Sequence, residues 1–126
     1  FIANQSFAEL QGKKLSLKEL QRYPIIMLDR KSTTSEYLHN LFLQNQLDLV
    51  PEIELSSNDL LIDLARIGLG IAFVPDYCIF PDSEDVFILH TKEELPEREL
   101  AIAYNEHLPL SRASMEFLSY FRDKTC

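Results

Sequence analysis

Apolar residues along the chain fall into short runs and into stripes with helical spacing. Short runs at Ile25–Leu28, at Ile53–Leu55, where Glu54 separates two apolar residues, and at residues 70–74 predict strands, the first of them buried on both faces. A stripe with helical spacing follows each of the first two runs and predicts a helix between the strands. The order strand, helix, strand, helix, strand predicts a parallel sheet with helices across its faces.

Capping residues indicate where the helices begin. Ser16 and Glu19 form the pattern of a capping box before a short helix over residues 16–22, which Pro24 ends. Thr33 and Glu36 form a second such pattern, which places a helix start inside the polar loop of residues 30–35. The apolar stripe of that helix consists of Tyr37, Leu38, Leu41 and Phe42.

The later elements are predicted in the same way. The next helix is expected to have Asn58 as its N-cap and to end at Gly68, a left-handed C-cap. Residues 86–89 and 100–104 have the pattern of strands, and residues 110–121 that of a final amphipathic helix capped by Ser111. The predicted buried faces are Leu60, Leu61, Leu64 and Ala65 in the first of these helices, and Ala113, Phe117, Leu118 and Phe121 in the second.

Composition and charge narrow the class of protein. With 126 residues, 46% hydrophobic and 25% charged, the chain is typical of a globular protein with a real core. Its net charge of −8 argues against direct binding to nucleic acid or to anionic membranes. No apolar run approaches the roughly 20 residues of a membrane-spanning helix. Cys78 and Cys126 form no CxxC motif, which fits a reducing cytoplasm better than secretion.

The sequence offers little for catalysis, metals or cofactors. His39, His90 and His107 lie far apart, without the spacing of metal ligands or catalytic partners. Gly68 and Gly70 lie between a helix and the following strand and lack a third glycine, which is the wrong context for a dinucleotide fingerprint. We therefore expect no catalytic residue, no metal site and no cofactor.

Two hydroxyl-rich helix starts supply the candidate binding residues. Ser32, Thr33 and Thr34 lie at one start, and Ser57 and Asn58 lie at the next. Both starts fall beyond the carboxyl ends of parallel strands, where ligands of such sheets bind. Unpaired N–H groups and the positive end of the helix dipole favour a small anion there. The alternative is that these residues only cap the helices, which is the preferred interpretation of the second start.

Several segments, taken in order, resemble the effector-binding domain of LysR-type transcription regulators. They are SLKEL at residues 16–20, LDRKSTTSEYLHNLF at residues 28–42, the Ser-Asn helix start at residues 57–58, ARIGLGIAFVP at residues 65–75 and MEFLSYF at residues 115–121. The resemblance runs from about residue 15 to residue 121. It implies an α/β fold like that of the type 2 periplasmic binding proteins, with two Rossmann-like lobes and an effector in the cleft between them.

The resemblance also implies how the chain divides. Residues 1–99 would be the second lobe, and residues 100–126 would be the hinge strand and C-terminal helix that return to the first lobe. The first lobe and the DNA-binding winged helix-turn-helix would be absent from this chain, and the missing initiator Met fits such a fragment. The face of the last helix with Phe117, Leu118 and Phe121 would then lack its usual packing partners.

The family also implies partners and a ligand-binding loop. Sensing domains of this family form dimers within a cytoplasmic homotetramer, and DNA is bound only through the absent domain, with no role for a membrane. The loop that matches Ser32, Thr33 and Thr34 commonly contacts the effector. Family members often have glycine where this chain has Lys31 and Thr33, so the loop is bulkier here, and the resemblance does not fix the size or position of the effector.

Two other functions share this fold. A transport-type solute-binding protein would require a secretion signal, and none is visible in residues 1–7. An enzyme of the same superfamily would require a convergent group of His, carboxylate or Lys residues, which the sequence does not supply. The leading hypothesis is therefore the effector-sensing part of a LysR-type regulator.

Overall fold

Seven strands and four α-helices form in the part of the chain that the computed structural model describes, residues 1–80 and 82–122. The strands are β1 (Ile2–Ala3), β2 (Lys14–Leu15), β3 (Ile25–Leu28), β4 (Ile53–Leu55), β5 (Ile71–Ala72), β6 (Phe87–Ile88) and β7 (His90–Thr91). The α-helices are α1 (Leu17–Leu20), α2 (Thr33–Gln44), α3 (Asn58–Arg66) and α4 (Arg112–Arg122), and 3-10 helices cover Gln5–Leu10 and Asp76–Cys78. The chain divides into two compact units, Phe1–Pro96 and Glu97–Cys126.

A five-stranded sheet in the order β4-β3-β5-β1-β6 organises the first unit. β3 pairs in parallel with β4 and with β5, as the sequence predicts. A two-stranded parallel pair, β2 with β7, lies beside it. β3 and β4 occupy the predicted residues, because their apolar runs are bounded by turn-forming residues on both sides.

The two faces of the sheet support two separate cores. Ile25 and Met27 of β3 point to the face on which α2 packs with Leu38, Leu41 and Phe42. Ile26 and Leu28 point to the opposite face, where α3 packs with Leu61, Ile62 and Ala65. Because successive side chains of a strand alternate between faces, a strand that is apolar throughout needs cover on both sides, and β3 has it.

The buried face of α3 differs from its predicted face. Ile62 is buried, whereas Leu60 is 45% exposed and Leu64 is only partly buried. Leu61 and Ala65 face the sheet in both cases. The helical stripe is therefore rotated toward the Ile62 side, because contact with the sheet decides which flank of a stripe is covered.

The end of α3 is fixed by Gly68, which adopts the predicted left-handed conformation with φ of 82°. The Leu69 N–H donates to the Leu64 carbonyl and the Gly68 N–H donates to the Ala65 carbonyl, which is the Schellman pattern. The side-chain amide of Asn4 donates to the Arg66 carbonyl at 2.8 Å. The last carbonyls of the helix are thus satisfied by its own C-terminal loop and by the segment after β1.

β1 is an element that the hydrophobic pattern did not predict. It lies between β5 and β6 and is antiparallel to both, with Ile2 opposite Ala72 and Ile88. Ile2 and Ala3 are almost fully buried. A strand of two residues is too short to produce a recognisable alternation, so its position follows only from tertiary pairing.

Glu97–Cys126 contains α4 as its single α-helix in the described residues. The predicted strand at residues 100–104 is wrong for this chain, because a strand needs a hydrogen-bonded neighbour and none of the described residues pairs with this segment. Leu100 is 92% exposed. The α4 start is as predicted, since the Ser111 hydroxyl accepts from the Ser114 N–H at 3.1 Å.

The apolar face of α4 is mostly open. Leu118 is buried, whereas Phe117 and Phe121 are about half exposed and their rings lie 5.1 Å apart. Within the described residues, no helix combines the length and apolar character that would let it cross a bilayer.

Candidate functional site

The loop between β3 and α2 is built around Asp29. The Asp29 N–H donates to the Leu55 carbonyl at 2.8 Å, which extends the pairing of β3 and β4 by one residue. The Asp29 carboxylate accepts from the Lys31 N–H at 3.1 Å, and the Asp29 carbonyl accepts from the Ser32 N–H and hydroxyl. This side-chain turn holds the loop at the carboxyl edge of the sheet.

Ser32 is the N-cap of α2. Its hydroxyl accepts from the Ser35 N–H at 3.0 Å and donates to the Asp29 carbonyl at 2.9 Å. The predicted Thr33–Glu36 capping box is therefore wrong: Ser32 keeps an extended backbone, and Thr33 is already the first helical residue. The reason is the Asp29 turn, which anchors the Ser32 hydroxyl and lets the helix begin one residue earlier than the Thr33 pattern suggests.

The three hydroxyls of this loop have different surroundings. The Ser32 hydroxyl donates and accepts within the loop, and Thr34 is only 6% exposed. Thr33 is exposed in the first turn of α2. A ligand at this helix start therefore meets the Thr33 side chain, because the Ser32 hydroxyl already accepts from the Ser35 N–H and Thr34 is buried.

The second helix start is capped by Ser57. Its hydroxyl accepts from the Leu60 N–H at 3.4 Å, and its backbone is extended. The predicted cap at Asn58 is wrong, because Ser57 takes the N-cap position and Asn58 is already the first helical residue. Its Oδ1 atom is buried and has no hydrogen-bond partner among the described residues.

The two helix starts share an edge of the sheet but not a face. Leu28 and Leu55 are directly paired at the carboxyl ends of β3 and β4, and both helices begin a few residues beyond them. α2 covers one face of the sheet and α3 covers the other. The structure therefore brings Ser32–Thr34 and Ser57–Asn58 to a common edge, which is where ligands of parallel sheets bind.

Charged residues near the first helix start are solvent-exposed. The Arg30 guanidinium lies 3.8 Å from the Glu54 carboxylate in a pair that is largely open to solvent, so its contribution to stability is small. Lys31 is exposed as well. The carboxylates of Asp29, in the loop, and Glu36, in the first turn of α2, lie at the same helix start, so the positive end of the α2 dipole and the Lys31 ammonium are the features there that favour an anion.

A cavity of about 190 Å³ lies elsewhere, between α3 and the segment after β5. Asp59, Asp63, Cys78 and Phe80 are among its lining residues, and none of the five predicted site residues lines it. Burial raises the pKa of the Cys78 thiol, with smaller contributions from Asp59 and Asp76. A thiol with a raised pKa is largely protonated at neutral pH, and the protonated thiol is a poor nucleophile.

Metal-binding groups of three or more His, Cys, Asp or Glu residues do not occur in residues 1–80 and 82–122.

Sequence reasoning missed two residues that shape this site. The first is Asp29: an Asp directly after a strand and before a polar loop is a recognisable signal for a side-chain turn. The second is the Tyr37 hydroxyl, because the sequence pattern indicates Tyr37 only as part of the apolar stripe of α2. It donates to the Pro96 carbonyl at 2.7 Å, a contact across 59 positions that no local pattern could indicate.

Comparison with known proteins places this arrangement in a family. The sequence profile described as the LysR substrate binding domain matches residues 1–126. The chain belongs to the LysR substrate-binding domain family. This family has the type 2 periplasmic-binding-protein-like fold, as the sequence predicts, and its members are regulators of transcription.

Individual relatives agree with this assignment. The LysR substrate-binding chain is 27% identical over 121 residues to the HTH-type transcriptional activator CmpR of a Synechocystis species. That alignment covers 94% of this chain and 40% of CmpR. The chain thus spans less than half the length of this relative.

Solved structures share the fold. The regulatory domain of Synechocystis CcmR, solved in complex with 2-PG, has a TM-score of 0.83 at 23% identity, covering 98% of this chain and 61% of that one. HinK, a LysR family regulator from Pseudomonas aeruginosa, has a TM-score of 0.74 at 20% identity, with coverage of 98% and 43%.

Proposed function

We propose that this LysR substrate-binding chain is the part of a bacterial transcription regulator that senses a small anionic metabolite at the start of α2. The observation that carries the proposal is the position of Thr33. It is exposed in the first turn of a 12-residue helix that begins at the carboxyl edge of a parallel sheet. A helix start with this exposure provides N–H donors and a positive potential, both of which favour an anion.

The proposal includes a division of the chain. Residues 1–99 form the second lobe of the sensing domain, and residues 100–126 return to a first lobe outside this chain. The exposed Leu100 and the half-exposed Phe117 and Phe121 support this division, because such apolar surface normally finds a partner. The match covers only 61% of the CcmR regulatory domain, so part of that domain has no counterpart in this chain.

The ligand is proposed to bridge the two lobes. Thr33 and the N–H groups of the first turn of α2 contact it from this side, with Arg30 and Lys31 adding positive charge. Ser32 and Thr34 shape the loop, whereas Ser57 and Asn58 provide a second contact at the same edge of the sheet, where Ser57 is exposed. The likeness to a regulatory domain solved with 2-PG makes that compound the first probe to test.

Ligand binding regulates transcription through the whole protein. The sensing domains form dimers within a homotetramer, and closure of the cleft changes the orientation of the DNA-binding domains through different affinities for two states. DNA binds only through the winged helix-turn-helix outside this chain, which fits the net charge of −8. The protein is cytoplasmic, without a cofactor, and not an enzyme.

The first experiment measures 2-PG binding to the full-length regulator by calorimetry. Thr33→Val removes the exposed hydroxyl and keeps the side-chain shape, so we expect at least about a tenfold loss of affinity, the effect of losing a hydrogen bond to a charged group. Lys31→Ala should weaken binding as well. Lys13→Ala is the matched control, because Lys13 is also an exposed lysine but lies between the 3-10 helix and β2.

Two outcomes decide against the proposal. If Thr33→Val and Lys31→Ala bind 2-PG as tightly as Lys13→Ala does, the α2 start is not the binding site. If the wild-type protein binds neither 2-PG nor any other small anion in a thermal-shift screen, the anionic ligand class is wrong. A secretion signal in place of a winged helix-turn-helix in the full-length gene product would instead support a transport-type solute-binding protein.

A further inference from the structure

The ring and the hydroxyl of Tyr37 contact different parts of the chain. The ring stacks on Phe73 with centroids 6.0 Å apart and planes 9° from parallel. Phe73 in turn contacts Phe1, with centroids 4.9 Å apart. The Tyr37 hydroxyl donates to the Pro96 carbonyl at 2.7 Å. Tyr37 is thus fixed by the aromatic cluster at one end and holds a distant segment at the other.

Pro96 is the last residue of the first compact unit. The segment that leads to it is fastened in several places: the Lys92 N–H donates to the Leu15 carbonyl at 2.9 Å, and the Glu93 carboxylate accepts from the Leu17 N–H at 3.0 Å. Leu95 packs on the core beneath α2. Along the chain, the hydrogen bond from the Tyr37 hydroxyl to the Pro96 carbonyl is the last of these contacts, since Pro96 is where the first compact unit ends.

The same helix face contains both the ligand-binding candidate and this attachment. Thr33 and Tyr37 are four residues apart in α2 and therefore lie one above the other on one side of the helix. A helix is stiff over one turn, so a displacement at its first turn moves the next turn with it. A ligand that pulls on the α2 start therefore also moves the Tyr37 hydroxyl relative to Pro96.

We propose that Tyr37 is a positioning residue that couples the α2 start to the segment around Pro96, and through it to the part of the protein that follows. This proposal rests on the proposed function, because it supplies the route by which a ligand at Thr33 affects the rest of the regulator. The coupling needs no contact between Tyr37 and the ligand. It requires that the bond to Pro96 has different strengths in the two states.

A purely structural role for the hydroxyl makes a different prediction. If Tyr37 only anchors Pro96, then loosening the α2 start leaves the 92–99 segment unaffected, or affects it equally with and without the hydroxyl. If Tyr37 couples the two, the effect on the segment depends on the hydroxyl. A double-mutant cycle measures this dependence directly.

The test uses hydrogen exchange of the full-length protein without ligand, followed by mass spectrometry of the 92–99 peptide. Tyr37→Phe keeps the ring stack and removes the hydroxyl, so exchange should rise about three- to tenfold, the range of one net hydrogen bond. Tyr23→Phe is the matched control, because the Tyr23 ring also packs edge-on against a Phe, with centroids 6.1 Å apart, in the same unit. Tyr23→Phe should leave the hydrogen exchange of the 92–99 peptide unchanged.

Ser32→Ala supplies the perturbation at the α2 start, since it removes the N-cap. We expect it to raise exchange in the 92–99 peptide about threefold in the wild-type background, and to have no further effect in the Tyr37→Phe background. The same effect of Ser32→Ala in both backgrounds overturns the coupling. Unchanged exchange of the 92–99 peptide in Tyr37→Phe overturns the coupling as well, since the bond to Pro96 then does not restrain this segment.

A second arm separates this inference from the proposed function. In wild type, 2-PG should slow exchange in the peptides covering residues 30–36 and 92–99, but in Tyr37→Phe only the first should respond. If 2-PG leaves residues 30–36 unprotected in wild type, the proposed ligand site fails for this probe, while the ligand-free cycle still decides the coupling. If 2-PG protects 92–99 equally in both proteins, the coupling through Tyr37 is wrong.

Discussion

The three glycines of the chain allow backbone strain and steric contact to be measured separately. Gly12 and Gly68 both have positive φ, 75° and 82°. A Cβ at Gly12 would have no neighbour within 4 Å, whereas one at Gly68 would lie 2.5 Å from the Ser6 hydroxyl and 3.0 Å from the Asn4 amide. A Cβ at Gly70, where φ is not positive, would lie 2.7 Å from the Pro24 carbonyl.

These contacts set the expected loss in the free energy of unfolding for each Gly→Ala change. Gly12→Ala incurs only the left-handed strain, about 1 kcal/mol. Gly68→Ala must also displace the Ser6 hydroxyl and the Asn4 amide, and loss of the Asn4 bond to the Arg66 carbonyl brings the total to about 2 kcal/mol. Gly70→Ala must push a backbone carbonyl that itself accepts from the Ile71 N–H, and overpacking of this kind costs about 2–3 kcal/mol.

Urea unfolding followed by far-ultraviolet circular dichroism measures all three variants under one set of conditions. A control combines Gly68→Ala with Asn4→Ala. Because Gly68→Ala already breaks the bond of Asn4 to the Arg66 carbonyl, adding Asn4→Ala should lower the free energy of unfolding almost no further. The reasoning is refuted if Gly68→Ala is no more destabilising than Gly12→Ala. It is equally refuted if the effects of Gly68→Ala and Asn4→Ala are additive.

Further predictions concern hydroxyls, a carboxylate and the thiol. Ser32→Ala should destabilise the fold by about 1 kcal/mol through loss of the N-cap. Ser35→Ala should stabilise it by about 1 kcal/mol, because the buried Ser35 hydroxyl has no partner among the described residues. Urea unfolding that shows the free energy of unfolding changing in the same direction for both variants would contradict this. Hydrogen bonds from Ser16 and the Lys92 ammonium lower the pKa of Glu19. Its contribution to stability is therefore present above the pKa of the unfolded chain and is lost as pH falls through the lower, folded pKa, so Glu19→Gln should flatten the acid side of the pH profile. Cys78, with its raised pKa, should be alkylated by iodoacetamide more slowly at neutral pH in the folded protein than in urea, and equal rates would exclude a protected thiol.

The parts of the fold with continuous patterns could be predicted from the sequence. β3 and β4 have the predicted residues, and the Ser16–Glu19 capping box and the left-handed Gly68 are confirmed. Each depends on residues close together in the chain. β1, in contrast, is defined by pairing with strands some 70 and 86 positions away. A two-residue segment contains no local signal of that pairing.

At the candidate site, too, features that depend on neighbouring residues could be predicted, whereas those that depend on contacts between strands could not. The sequence indicates hydroxyls at a helix start, but three successive candidates compete for one capping position. The choice of Ser32 depends on Asp29, whose N–H is bonded to Leu55 of the neighbouring strand. The exposure of Thr33 and the burial of Thr34 follow from that choice, so which hydroxyl is available to a ligand is decided by a contact between strands.

The central place of β1 has a consequence for how the chain folds during synthesis. Its residues leave the ribosome well before those of β5 and β6, between which they lie in the sheet, because Ile2 precedes its partners Ala72 and Ile88 by 70 and 86 positions. The β4-β3-β5 layer can assemble without β1, and the apolar side chain of Ile2 has neither of its strand partners before β5 and β6 are made. Completion of the sheet is thus a late step that closes a long-range contact. Deletion of residues 1–4 would remove the strand that joins β6 to the rest of the sheet.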